Sequence, residues 1–164
     1  AIQWLTDAGL AYKVQRVNAP RLPFKFYEDL NAFKLFMLDV GLMGAMAETS
    51  AESMLVGDNV FSEYKGAFTE LFVFTQLKSR HFSLYYHAVE SSTIEIDFLT
   101  QWHDRVIPIE VKAEVNVKAK SLHTFINNNP ELQGLRFSML PYKKQDWVIN
   151  VPLYACLVPF DYYR

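Results

Sequence analysis

Cysteine is nearly missing from this sequence: Cys156 is the single one in 164 residues. That excludes an internal disulfide framework and a thiolate zinc site, and it fits a reducing, cytoplasmic setting. Long apolar runs are missing too. None approaches the roughly 18 residues that cross a bilayer, so no membrane association is expected. No charged-then-apolar leader opens the chain, and the sequence offers no evidence of secretion. Charge of one sign is scarce: 16 Lys and Arg against 18 Asp and Glu leave a net charge of -2. That argues against a strongly basic nucleic-acid binder. Several motifs are absent as well. His81, His87, His103 and His123 show no metal-ligand spacing, and Ser91 and Ser92 lack the glycine-flanked setting of a nucleophile elbow. There is no Gly-x-x-x-x-Gly-Lys-Ser/Thr loop, so this chain has no ATP site of that kind. No internal repeat or low-complexity tract stands out.

Hydrophobic residues, in contrast, make up 51% of the chain, with 13 Phe, 9 Tyr and 3 Trp. That is ample for a packed core and rules out a mainly disordered chain. The length suits one domain or two small ones. Charge is uneven along it. Residues 112–144 carry six Lys/Arg and two Glu, whereas residues 39–63 carry five acids and no Lys or Arg. The opening "AIQWLTDAGL" starts inside an amphipathic helical pattern without a start methionine, and reads as the carboxyl-terminal part of something longer.

The first 48 residues predict a short helix ending near Gly9, a strand "YKVQRV", and a proline-rich connection. Two strands, "FKFYED" and "AFKLFMLD", are expected next, with a turn at 28–31, and then a short helix "VGLMGAMAE". A helix followed by a small β-ribbon suggests a winged-helix-like segment over residues 1–48. Residues 49–60 read as a linker. A long helix follows, with Phe61, Tyr64, Phe68, Leu71 and Phe72 on one stripe. Val73 and Phe74 widen the apolar surface, so its second half should be buried on several sides, and Glu70 sits where that burial begins. "FSLYYHAV" reads as a strand, "KAKSLHTFINNNP" as a helix, and "LRFSML" and "WVINVPLYACLV" as closing strands, with Cys156 in the core.

The chemistry concentrates in "STIEIDFLTQWHDRVIPIEVKAE", residues 92–114. Ile94, Ile96, Phe98, Ile107, Ile109 and Val111 alternate with Glu95, Asp97, Glu110 and Lys112, the pattern of a hairpin. A turn at His103 and Asp104 would set Asp97 opposite Glu110 and Glu95 opposite Lys112. Like charges facing each other across a sheet are destabilising, so Asp97 and Glu110 call for a cation. A hard divalent ion, Mg²⁺ or Mn²⁺, suits carboxylate and carbonyl oxygens. Such an ion acidifies water and stabilises charge on a phosphate. The bland alternative is a solvated sheet face with casual ion pairs. Lys118, Lys120, Lys143 and Lys144 are candidate phosphate contacts, with Tyr142 or Trp147 for stacking, although ordinary solvated lysines are the stronger reading.

These residues resemble the PD-(D/E)XK nuclease superfamily: Glu70 on a helix, Asp97 on a strand, Glu110-Val111-Lys112 on the next strand, and "KSLHTFINN" as the following helix. Ile96 stands where the literal proline would be. A resemblance over almost the whole chain goes further. "FKLFMLDVGLMGAM", "KGAFTELFVFTQL", "EIDFLTQ", "IPIEVKAE" and "NVPLYA" look like the carboxyl-terminal domain of uncharacterised prokaryotic AAA-type ATPases. The resemblance implies an α/β class with a restriction-endonuclease-like α/β/α core and a central mixed sheet over residues 61–164, preceded by the winged-helix-like segment. It implies Asp97, Glu110 and the Val111 carbonyl as metal ligands, Lys112 as the residue positioning the attacking water, and Glu70 as a direct or water-mediated ligand. Glu95 joins them as a partner for Lys112 or an outer acid. The expected activity is metal-dependent DNA phosphodiester hydrolysis. DNA and an upstream ATPase domain are the candidate partners, and the oligomeric state stays open. The rival is an inactive nuclease fold kept for binding DNA or protein. A third reading is an antitoxin-like or regulatory partner-binding module.

Overall fold

The hairpin organises the structure, a computed structural model that describes residues 1–49, 59–89, 94–114, 119–158 and 160–163. Strands β4 (Glu95–Trp102) and β5 (Arg105–Val111) pair antiparallel from Phe98↔Ile109 to Trp102↔Arg105. The turn is therefore the two residues His103 and Asp104, the register expected from the sequence. His-Asp is not a preferred pair for so tight a turn. His103 nevertheless takes the left-handed conformation it demands, φ 54°, and its carbonyl accepts the Gln101 side-chain amide at 2.6 Å.

Six more strands extend this hairpin into one mixed sheet. They are β1 (Ala11–Val17), β2 (Glu28–Met37), β3 (Leu84–Ala88), β6 (Gly134–Ser138), β7 (Lys143–Lys144) and β8 (Val148–Pro152), in the order β2-β1-β3-β4-β5-β6-β8-β7. The pairs β1–β3, β5–β6 and β6–β8 are parallel. All five residues of β6 and of β8 are buried, as expected for parallel strands covered on both faces. The class is α/β.

Each face of the sheet carries a helix. On α3 (Asn59–Ser79), Leu71, Phe74 and Leu77 pack with Phe98, Ile109, Val111 and Phe137. On α4 (Lys120–Asn128), Leu122, Phe125 and Ile126 pack with Ile96, Leu99, Val106 and Val148. Asn129 stops α4, its side-chain amide donating to the Phe125 carbonyl at 2.8 Å. The second half of α3 is buried on several sides, with Val73 and Phe74 almost inaccessible, whereas Tyr64 of the expected stripe is exposed. Phe61 lies outside the residues whose side chains are described, and so does most of the expected linker. Cys156 is buried, as expected, but follows a 3-10 turn (Leu153–Ala155) rather than sitting in a strand.

The amino-terminal part differs from the sequence reading. "FKFY" is a 3-10 turn (Phe24–Tyr27), not a strand, and β2 runs without reversal through the expected turn. The turn signal marks a bulge: Gln15 pairs with Phe33, but Arg16 pairs with Asp29. The extra residues are held by Asp29, which accepts the Asn31 N–H at 3.0 Å and the Arg16 guanidinium at 2.6 Å. The segment expected as winged-helix-like contributes β1 and β2 to the main sheet, after α1 (Ile2–Asp7). Its helix α2 (Val40–Met46) starts at an Asp39 cap and packs Val40 and Met43 on the core beside α3.

Candidate active site

A bulge shapes the site. Tyr85 pairs with Leu99 and His87 with Ile96, so two steps along β3 match three along β4, around Asp97. Bulges re-aim side chains. Asp97 turns onto the β5 backbone, and its Oδ2 accepts the Val111 N–H at 2.7 Å. One step beyond the last paired residues, the same register sets Asp97 opposite Glu110.

Glu110 is buried, 3% exposed. Its Oε1 takes the Lys112 ammonium at 2.5 Å, while its Oε2 is buried without a hydrogen-bond donor. Glu70, on α3, is reached from an unforeseen direction: the Lys34 ammonium of β2 lies 3.1 Å from Glu70 Oε1 and 2.6 Å from Glu95 Oε1. Glu95 therefore pairs with Lys34, and the expected Glu95–Lys112 pair does not form, because Lys112 bonds Glu110.

The charges act on one another. Burial pushes the Asp97 carboxyl up, and the Glu110 and Glu70 charges push it further; the Val111 N–H and Lys34 pull back, and it stands at about 7. Burial also raises Glu110 above the usual carboxylate range, against the pull of Lys112. For Lys34 burial opposes the charge, but Glu70 and Glu95 outweigh it and hold its pKa above the ordinary lysine range. Asp97 thus feels the charges of both Glu110 and Glu70.

Two basic residues escaped the sequence reading. Lys34 lies in the apolar run "AFKLFML", where a lone cation is the one signal that marks it. Arg136 pairs in register with Glu110 and is 7% exposed. Its Nε donates to Asn150 Oδ1 at 2.9 Å, and the Asn150 amide donates to the Leu140 and Pro141 carbonyls. An arginine inside a strand that reads as wholly buried was the available signal. Of the candidate phosphate contacts, Lys120 is exposed at the start of α4, and Lys143 and Lys144 form the exposed edge strand β7. Lys118 lies outside the described residues. His87 is a satisfied buried histidine, its Nδ1 2.8 Å from the Val17 carbonyl oxygen. A cavity of about 600 Å³ is lined by Trp102, Arg105, Leu132 and Phe160 among others, and by none of the site carboxylates.

The fit to a divalent ion is testable on Glu110. A buried carboxylate oxygen without a donor is costly, and a cation beside it removes that cost. Among the described residues no group of three or more His, Cys, Asp or Glu is close enough to hold a metal ion. Mg²⁺ requires fewer, since it is usually bound through one or two carboxylates and keeps several waters. The two neighbouring carboxylates Asp97 and Glu110 are of that number.

Comparison with known families places these residues. Residues 65–155, more than half of the chain and including Glu70, Asp97, Glu110 and Lys112, match a family described as a domain of unknown function, DUF4143. The chain belongs to the DUF4143 family. DUF4143 domains occur at the carboxyl termini of AAA-ATPase-like proteins. Residues 1–53, with Lys34, match a second domain of unknown function, DUF8612. No curated protein and no solved structure matches the chain. The DUF4143 match thus contains the whole Asp97–Glu110–Lys112 group, while Lys34 reaches it from outside.

Proposed function

We propose that this DUF4143 domain is a divalent-metal-dependent phosphodiesterase of the PD-(D/E)XK, restriction-endonuclease-like kind, acting on DNA. The observation that carries the reading is Glu110: a buried carboxylate next to Asp97, with Lys112 on one oxygen and no donor on the other. A helix on each face of a mixed sheet, with Glu70 on the helix before the hairpin, supports it.

Asp97, Glu110 and the Val111 carbonyl would hold Mg²⁺ or Mn²⁺; Glu70, bonded to Lys34, would reach it through water. A bound ion supplies Lewis acidity toward a phosphate oxygen and lowers the pKa of water. The chain does the rest. The Val111 N–H fixes Asp97 Oδ2, which leaves Oδ1 for ligation. Lys112, held on Glu110, places its ammonium where it can orient a water and offset phosphate charge. Arg136, buried where Lys112 is half-buried, adds a second cation near Glu110 and is held by Asn150.

One feature favours the rival, an inactive nuclease fold that binds DNA or protein for its ATPase. Lys34 neutralises Glu70 and Glu95 with no metal required. Calorimetry with Mn²⁺, on the wild type and Asp97→Asn, separates the two, followed by plasmid nicking with either metal. Nicking and binding that are both lost in the variant support hydrolysis. No binding up to low-millimolar Mn²⁺, with or without duplex DNA, leaves the binding module.

A further inference from the structure

The cluster is divided into two halves. Glu70 and Glu95 already share a cation, Lys34, at 3.1 Å and 2.6 Å. Glu110, in the other half, keeps one buried oxygen without a donor. Lys34 is firmly placed. Its side chain is only 25% exposed, and its ammonium sits 5.3 Å from the centre of the Tyr86 ring. Tyr86 belongs to β3, so one side chain of β2 ties β3, β4 and α3 together. Lys34 and Glu70 also border a groove of about 430 Å³, with Met43 and Leu71 on its walls, so the pair stands next to open space.

Phosphoryl-transfer sites of the two-ion type hold their ions about 3.5–4 Å apart and need carboxylates for both. Here the carboxylates available for a second ion are Glu70 and Glu95. An ammonium hydrogen-bonded to those same oxygens stands in the way electrostatically and sterically. We propose that Lys34 is a resident cation that takes the place of a second divalent ion, so that the site holds one metal ion, at Asp97 and Glu110, and not two. The inference rests on the metal-dependent reading above and specifies its stoichiometry.

Mn²⁺ titration by calorimetry tests it on the full chain. The wild type is expected to bind one ion. Lys34→Met frees Glu70 and Glu95, and is expected to bind two. Lys34→Met/Glu95→Gln removes a carboxylate together with the lysine, and is expected to return to one ion at the wild-type affinity. Two ions in the wild type overturn the proposal without any variant, which keeps it testable should Lys34→Met lose its cooperative melt. One ion in a folded Lys34→Met, at whatever affinity, also overturns it, while the metal-dependent reading stands. Mn²⁺ bound by none of the three proteins overturns both.

Discussion

Asp97 gathers the site's electrostatics into one titration. An unfolded aspartate titrates near 3.9, whereas the folded carboxyl stands at about 7, chiefly through burial and the neighbouring Glu110 and Glu70 charges. Between those values the folded state holds the extra proton. Its stabilising contribution is complete below about pH 4 and is lost as pH rises through about 7. The metal-free protein is therefore expected to lose thermal stability from about pH 4 to about pH 7. Asp97→Asn should flatten that slope and melt higher at the alkaline end, by the equivalent of about 1–2 kcal/mol. On the proposed reading Mn²⁺ and the proton compete for this carboxylate, so Mn²⁺ affinity should climb with pH over the same window; a flat affinity profile would remove Asp97 from the ligand set. Arg136 gives a second test. Arg136→Met leaves Asn150 Oδ1 without its guanidinium donor and removes one of the cations near Glu110. A loss of about 2–4 kcal/mol in urea unfolding is expected.

At the scale of elements, two bulges decide what the sequence could show. The β4–β5 register was legible because alternation on both strands and a two-residue gap leave one consistent pairing. The partners of its charges were not legible. Lys34 is 36 residues before Glu70 and 61 before Glu95 in sequence, and only the sheet order brings β2 near the site. The polar residues at 28–31 signalled a departure from regular strand, and the structure resolves it as a bulge, because Asp29 finds Arg16 across the strand pair. The edge strand β7 is too short and too polar to announce itself. What β2 contributes is measurable. Phe36 is buried and stacks on Phe74 of α3, with ring centres 4.4 Å apart. Phe36→Ala should cost about 3–5 kcal/mol in urea unfolding.

The whole molecule joins two family matches in one sheet. Residues 1–53 and 65–155 are recognised separately, yet Val14 and Phe36 lie in the same core as Phe98 and Phe137. A chain of residues 49–164 exposes β3 as a new edge and strips that core of its cover. It is expected to melt lower by roughly 10 °C or more, or to lose cooperativity altogether, in calorimetry. The order of helices and strands after residue 60 followed from the alternation of periodic segments, and the α/β class with helices on both faces from the family resemblance. The joining of the amino-terminal strands to the sheet did not, because a parallel contact such as Arg16↔Tyr86 leaves no trace in either segment's own pattern.

The same parallel contact has a consequence in time. The β1–β2 ribbon is local and can close as soon as it leaves the ribosome, but the strand on which β1 rests is about seventy residues away in sequence. Until α3 and β3 have been synthesised, the inner edge of β1 offers unpaired backbone to any strand nearby, its own copies on neighbouring ribosomes included. Synthesis rate through the α3 region therefore governs how long the nascent chain is open to misassembly. A slow passage there should lower the yield of folded protein without changing the stability of what does fold.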